Sequence, residues 1–329
     1  MYFIEPFILY ALTAPLRAKR TLAMAQFESK LLDFVFISFC FSFLILMMPI
    51  RSVAILENPN AGKGSTGKLA VWLSNELVKR SIDAVIFKDP WPENFEPYSD
   101  IWLIGGDGTI NYFINHYPNC NKPIALFKGG TGNDFAWKLY GDRTDAEQLQ
   151  QVLNATPKWI DAAKFNDTLF INCLGVGFDG EIINSMKAIR FLGGHLGYLL
   201  AVVLKIFSFR EYSFHIKTID ETWNDEFLLA MVVNSSRAGG GFFIAPDASI
   251  TDGKLDMVLC KKLPLFKRLK YLPVIKKGNH MQLPFVIHRL QEKFIIQCEK
   301  EMAIQIDGEL RYAKELLVEV LPAKFLFRY

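Results

Sequence analysis

Ile101-Trp102-Leu103-Ile104 runs without interruption into Gly105-Gly106-Asp107-Gly108-Thr109. Four consecutive apolar residues closed by a glycine-rich turn read as a strand buried on both faces, ending where the backbone bends sharply. Two other stretches share this construction. Ser52–Glu57 (SVAILE) runs into Asn58-Pro59-Asn60-Ala61-Gly62-Lys63-Gly64, and Pro123–Phe127 (PIALF) runs through Lys128 into Gly129-Gly130-Thr131-Gly132-Asn133-Asp134. Between them lie a further apolar run, Ala84–Phe87, and a helical pattern from Lys68 to Arg80 carrying Leu69, Trp72, Leu73 and Leu77. Short apolar strands separated by helices predict a parallel sheet in an α/β domain over 51–157.

Beyond Trp159 the texture changes. Phe170–Gly177, Tyr212–Ile219, Glu226–Asn234, Lys254–Cys260, Phe294–Cys298 and Met302–Ile306 are strand-like, with few helices between them. They predict a mainly antiparallel β-sandwich over 158–329, its extreme C-terminus able to return to the first domain. One helical insert, about His195 to Phe207, interrupts the strands; it is expected to be core, with a lipid site or a homodimer contact as alternatives. A chain of 329 residues, 51% of them hydrophobic, suffices for two such domains.

The three glycine loops all come directly after strands of the first sheet. In an open α/β sheet ligands bind beyond the carboxyl ends of the strands, and glycine there lets backbone N–H groups approach phosphate oxygens. Each loop also precedes a helix, whose N-terminus favours an anion. Gly-Gly and Asp-Gly are ordinary turn dipeptides too, and for one loop the two readings compete closely. Three loops on one edge decide for phosphate. Gly62–Leu69 (GKGSTGKL) nearly matches a P-loop, but leucine stands where a magnesium-binding hydroxyl belongs, so a P-loop nucleotide triphosphatase is not expected.

Composition narrows the field further. Five separated cysteines form no CxxC pair, which excludes a zinc ribbon or thioredoxin-type motif and fits reduced thiols in a cytosolic protein. Five scattered histidines offer no metal-ligand spacing. A net charge of +3 neither requires nor excludes a polyanion, and no nucleic-acid partner is expected. Residues 34 to 50 (FVFISFCFSFLILMMPI) fall just short of the roughly 20 residues of a spanning helix. Arg17, Lys19 and Arg20 before the run would export the rest of the chain, and a buried strand begins at once after it. A translation start at Met47 or Met48 is the preferred reading of residues 1–50, with an anchor as the alternative.

Taken in order, NPNAG, GGDGT and GGTGNDFA, then Phe170-Ile171-Asn172, Gly175–Asp179, Gly239–Asp256 and Ile306-Asp307-Gly308-Glu309 resemble the diacylglycerol-kinase catalytic-domain family. That family is related to sphingosine kinases and, more distantly, to NAD kinases. The resemblance spans about Arg51 to the C-terminus. It implies an NAD-kinase-like nucleotide-binding domain, a β-sandwich domain and an active site in the cleft between them. The implied chemistry is transfer of the γ-phosphate of ATP to a lipid hydroxyl, most readily diacylglycerol to phosphatidic acid.

The resemblance also distributes roles. Asn58, Pro59, Asn60, Ala61, Gly62, Gly105, Gly106, Asp107, Gly108, Thr109, Gly130, Thr131, Gly132, Asn133 and Asp134 would contact ATP. Asp107 and Asp134 are oxygen donors suited to Mg²⁺, and Asp161 matches an aspartate of the family's magnesium network. Glu309 matches the general base that accepts the lipid hydroxyl's proton; without the resemblance it would read as a solvated turn. A second, structural Mg²⁺ would sit at Ser249, Asp252 and Lys254, where a plain Asp-Gly turn is an equal alternative. The chain departs from the family at Tyr112, where a glutamate is usual. That departure keeps a non-catalytic lipid or nucleotide sensor in view, beside an NAD kinase or other small-molecule kinase.

No acidic residue occurs between Asp256 and Glu292, a stretch holding Lys261, Lys262, Lys267, Arg268, Lys270, Lys276, Lys277 and Arg289. Leu263 to Ile275 has roughly helical apolar spacing. A basic amphipathic face over 261–277 is expected to meet an anionic membrane surface, although charge runs are commonly just solvated. The expected location is cytoplasmic, peripheral at the inner face of the membrane.

Overall fold

The apolar runs of the first half form parallel strands β1 (Ser52–Glu57), β2 (Asp83–Phe87), β3 (Asp100–Gly105) and β4 (Ile124–Lys128), ordered β2-β1-β3-β4. The computed structural model describes residues 50–186 and 194–329; the N-terminal apolar run lies outside them apart from Ile50, and the insert's described side chains begin at Leu200. Ile55 pairs with Trp102 and Leu103 with Leu126, so β1, β3 and β4 stack their apolar residues in register. Helices α1 (Thr66–Val78), α2 (Asp107–His116), α3 (Asp134–Tyr140) and α4 (Asp145–Asn154) alternate with these strands or succeed them. α1 buries Ala70, Leu73 and Leu77, which return to one face every three to four residues. Thr144 and Glu147 cap α4 reciprocally, each bonding the other's backbone N–H.

The second half is antiparallel, as expected. Its strands are β5 (Pro157–Phe165), β6 (Thr168–Phe170), β7 (Cys173–Gly177), β8 (Tyr212–Lys217), β9 (Thr222–Val233), β10 (Arg237–Ala238), β11 (Phe242–Phe243), β12 (Leu255–Lys261), β13 (Val286–Gln291), β14 (Lys293–Ile306) and β15 (Glu309–Arg328). Helices α5 (Phe178–Met186), α6 (Gly194–Ser208) and α7 (Leu265–Lys276) punctuate them. A separate core, with Phe214, Phe227, Phe294, Met257 and Ile304 fully buried or nearly so, lies under these strands.

The two halves share backbone as well as side chains. Thirteen strands form one sheet, in which β15 is the link: it pairs antiparallel with β14 and β5, and its Phe327 pairs in parallel with Ile124 of β4. The register of β15 shifts between Leu321 and Phe325, where Ala323 adopts a positive φ of 49°. Past this kink Phe325 and Phe327 enter the core of the first half. Arg328 donates from Nε to Asp100 Oδ1 at 2.7 Å, both side chains being almost wholly buried. Burial holds the Asp100 carboxyl above its ordinary range, against the pull of Arg328.

Candidate functional site

Three glycine loops meet at the carboxyl ends of β1, β3 and β4, and small residues let them meet. A Cβ on Gly130 would lie 2.5 Å from the Gly106 Cα, and a Cβ on Gly129 would lie 2.9 Å from Thr66 Cγ2 and 3.0 Å from the Gly105 N. Backbone and side-chain bonds then fix the approach. The Gly129 N–H donates to Gly105 O at 2.8 Å, and Asn58 Nδ2 donates to Thr109 Oγ1 at 2.9 Å. Asn133, in the left-handed region at φ 53°, clasps Gly130 twice: Oδ1 accepts from its N–H and Nδ2 donates to its O, each at 2.8 Å. Among the predicted nucleotide contacts, these bonds bring together Asn58, Gly105, Gly106, Thr109, Gly130 and Asn133. Thr131 and Gly108 are exposed at the mouth.

Asp107 opens α2 and is half-buried. Its carboxylate accepts from the backbone N–H groups of Asp134 (3.1 Å) and Phe135 (3.0 Å), thereby capping α3 from a neighbouring loop. Asp134 is buried, and its carboxylate reaches into the second half. Oδ1 accepts from Arg237 Nε at 3.0 Å and Oδ2 from the Gly240 N–H at 2.7 Å. Burial, then the neighbouring Asp107, raises the Asp134 pKa despite these partners. Arg237 also lies over Trp137, 4.5 Å from the ring centroid.

Glu309 stands at the start of β15, exposed beside the two-residue turn Asp307-Gly308. Both turn residues have positive φ, 47° and 89°, the geometry that Asp-Gly hairpins favour. Asp307 anchors this turn. Its carboxylate accepts from the N–H groups of Ile171, Asn172 and Cys173 at 2.8–3.0 Å and from Asn111 Nδ2 at 3.2 Å. Asn111 lies one helical turn after Asp107 on α2, about 6 Å along the axis. The Glu309 turn is therefore tied to the helix that Asp107 begins. Burial pushes the Asp307 pKa up to about 6, outweighing its donors.

Two further residues belong to this junction and were not singled out from the sequence. Asp179, in the first turn of α5, is buried with one carboxyl oxygen lacking a hydrogen-bond partner, and burial pushes its pKa up to about 7. Cys173 lies among these acids: burial first, then the Asp307, Asp179 and Asp134 carboxylates, drive its thiol well above the usual range. Asp307 and Asp179 both fall within the family's motifs, yet only the folded chain reveals the partners of Asp307 and the burial of Asp179. Arg237 and Asn111 carry no sequence signal of comparable strength.

The three aspartates expected around a catalytic magnesium are not equivalent. Among the described residues no three His, Cys, Asp or Glu side chains come together to hold a metal ion. Asp161 is buried, and its carboxylate accepts from the N–H groups of Gly253 (2.7 Å) and Ala323 (2.8 Å). It therefore fastens the 249–254 turn and the kink of β15. Asp134 is likewise buried, with Arg237 and the Gly240 N–H as its partners. Asp107 alone remains half-exposed beside the glycine loops, and one carboxylate plus substrate phosphates is an ordinary magnesium arrangement. At the second expected metal position, Asp252 Oδ1 accepts from the Lys254 N–H at 3.1 Å and Ser249 Oγ from the Thr251 N–H at 3.3 Å. These bonds, with that of Gly253 to Asp161, close the turn, in which Asp252 is the one carboxylate. Tyr112 faces outward, edge-on to Trp91 at 5.5 Å and stacked on His116 at 5.3 Å.

A parallel-sheet domain with three converging glycine loops, joined to an antiparallel domain that delivers a carboxylate hairpin, defines a phosphate-handling enzyme class. Residues 52–165 match the family model of the diacylglycerol kinase catalytic domain, and 172–326 match the YegS C-terminal NAD kinase beta sandwich-like domain. The chain belongs to the diacylglycerol-kinase catalytic-domain family, which places it among the phosphotransferases. It is 29% identical over 209 residues to the diacylglycerol kinase of Bacillus subtilis, covering 62% of this chain and 69% of that one. It is also 29% identical over 230 residues to a Shewanella frigidimarina protein named "Probable lipid kinase YegS-like", covering 68% and 74%. The crystal structure of a diacylglycerol kinase from Bacillus anthracis superposes with a TM-score of 0.65 at 22% identity, covering 85% and 96%.

Proposed function

We propose that this chain transfers the γ-phosphate of ATP to the hydroxyl of a membrane lipid, with diacylglycerol as the first candidate and phosphatidic acid as the product. One observation carries the reading. The Asn111–Asp307 bond joins the Glu309 hairpin to the helix whose first residue, Asp107, belongs to one glycine loop and bonds the backbone at the end of another. Phosphoryl transfer asks for phosphates held in line, their charge offset, and a base beside the attacking hydroxyl. The loops present backbone N–H groups and the N-terminus of α2 to the phosphates. A Mg²⁺ ion held by Asp107 and the phosphates would offset charge on the transferring group. Glu309, exposed on its turn, accepts the proton from the lipid hydroxyl as that oxygen bonds the γ-phosphorus and the bond from phosphorus to the β,γ-bridging oxygen breaks, releasing ADP. Asp134 and Arg237 keep the two halves in register, because positioning dominates catalysis of this reaction.

The test is phosphorylation of a lipid panel in mixed micelles with radiolabelled ATP, alongside NAD as a soluble acceptor. Incorporation into diacylglycerol or another lipid supports the reading. Incorporation into NAD alone identifies a soluble-acceptor kinase, and ATP binding without transfer to any acceptor identifies a sensor.

A further inference from the structure

The outer surface of the second half carries a feature that phosphoryl transfer does not use. α6 has two faces. Ala201, Val202 and Ile206 are buried against Ile182. Leu200, Val203, Leu204 and Phe207, at the i, i+3, i+4, i+7 spacing of one stripe, are exposed, Leu204 by 51% and Phe207 by 61%. α7 lies alongside. Arg268 on α7 donates to the carbonyls of Ile206 (3.3 Å) and Phe209 (2.9 Å), and Leu272 packs against the buried face of α6. The outer side of α7 leaves Leu265, Phe266 and Leu269 exposed, Phe266 by 68%. Exposed apolar side chains gathered on one helix pair mark a contact surface, not scattered exposure.

Charge says what the surface meets. Lys261, Lys262, Arg268 and Arg289 are paired with Asp225, Glu226, Glu211 and Glu221, so they drop out of the basic stretch. Lys267, Lys270, Lys276 and Lys277 are exposed on α7 and at its end, and among the described residues no carboxylate pairs with them. A two-fold contact with a second copy would bring these lysines against their own counterparts. An anionic bilayer accepts both parts of the pattern: apolar side chains at the acyl boundary and cations among the headgroups.

We infer that α6 and α7 form a membrane-insertion surface, in which Leu204, Phe207 and Phe266 enter the acyl boundary and the four lysines hold anionic headgroups. This deepens the lipid-kinase reading and rests on it for the reason a membrane is met, not for the binding itself. The test is co-sedimentation of the full chain with phosphatidylcholine vesicles, with and without phosphatidylglycerol. Wild-type protein should pellet with the anionic vesicles. Leu204→Ser, Phe207→Ser and Phe266→Ser should each lower partitioning about tenfold at any salt concentration. Replacing each lysine by glutamine should cost about fivefold, a loss that high salt reproduces in the wild type. Unchanged thermal unfolding shows that the variants fold. Activity on a water-soluble short-chain lipid should persist in all of them, which separates failure of the surface from failure of the kinase reading. Wild-type protein that stays in solution with anionic vesicles, or a lipid-free dimer that the serine variants dissolve, overturns the inference.

Discussion

Glu309 owes its position to its neighbour. The Asp307 carboxylate gathers three backbone N–H groups and Asn111, and the turn it anchors leaves Glu309 facing solvent. Glu309→Gln keeps the turn and removes the proton acceptor. It should lower kcat by roughly 10²–10⁴ with little change in ATP affinity, measured by turnover and by nucleotide titration. Near-normal turnover would remove Glu309 from the role of base. Asp179 predicts a pH effect of definite sign. Its pKa rises from 3.8 to about 7 on folding, so between those values the native state holds a proton that the unfolded chain has lost. Stability is thus fully present below about pH 4 and is lost as pH rises towards 7, by up to about 4 kcal/mol. Asp179→Asn should unfold at a higher temperature than wild type at neutral pH and show a flatter pH dependence over that window. An unchanged slope would mean that the carboxyl is solvated.

Among elements, the glycine loops were plain in the sequence because each comes after an uninterrupted apolar strand and needs residues without side chains. What each aspartate does was not plain. Asp134 finds its partner Arg237 103 residues away, and Asp161 finds Gly253 92 residues away, distances at which no local pattern operates. Sequence offers two acids in glycine turns and a third, Asp161, through the family resemblance; folding gives Asp134 and Asp161 partners in distant elements. Removing the guanidinium by Arg237→Ala leaves Asp134 buried without its counter-ion, which should destabilise the protein by about 3–5 kcal/mol in urea unfolding. Adding Asp134→Asn should recover part of that loss, whereas additive losses would show that the pair does not act as a pair. Gly130→Ala tests the loops themselves. With 2.5 Å between the new Cβ and the Gly106 Cα, the loops must separate, and ATP affinity should fall at least about tenfold while the distant β-sandwich stays folded.

At the scale of the whole molecule, β15 decides the organisation. Its middle portion alternates Leu316, Val318 and Val320, all buried, with exposed or half-exposed partners, and Pro322 interrupts it before the apolar Phe325–Phe327. That mixed pattern hides a 20-residue strand from inspection, whereas the uniform runs of β1, β3 and β4 announce themselves. Phe327→Ala should cost about 3–5 kcal/mol, a loss measurable by denaturant unfolding and felt first in the nucleotide half where the ring is buried. There is a consequence for the order of events as the chain is made. Asp100 meets Arg328, 228 residues later, and β4 waits for Phe327 before its free edge is covered. The nucleotide half is translated first but completed last, by the same strand whose opening residue is Glu309. A nascent or shortened chain that has its phosphate loops but lacks this strand exposes an unpaired sheet edge.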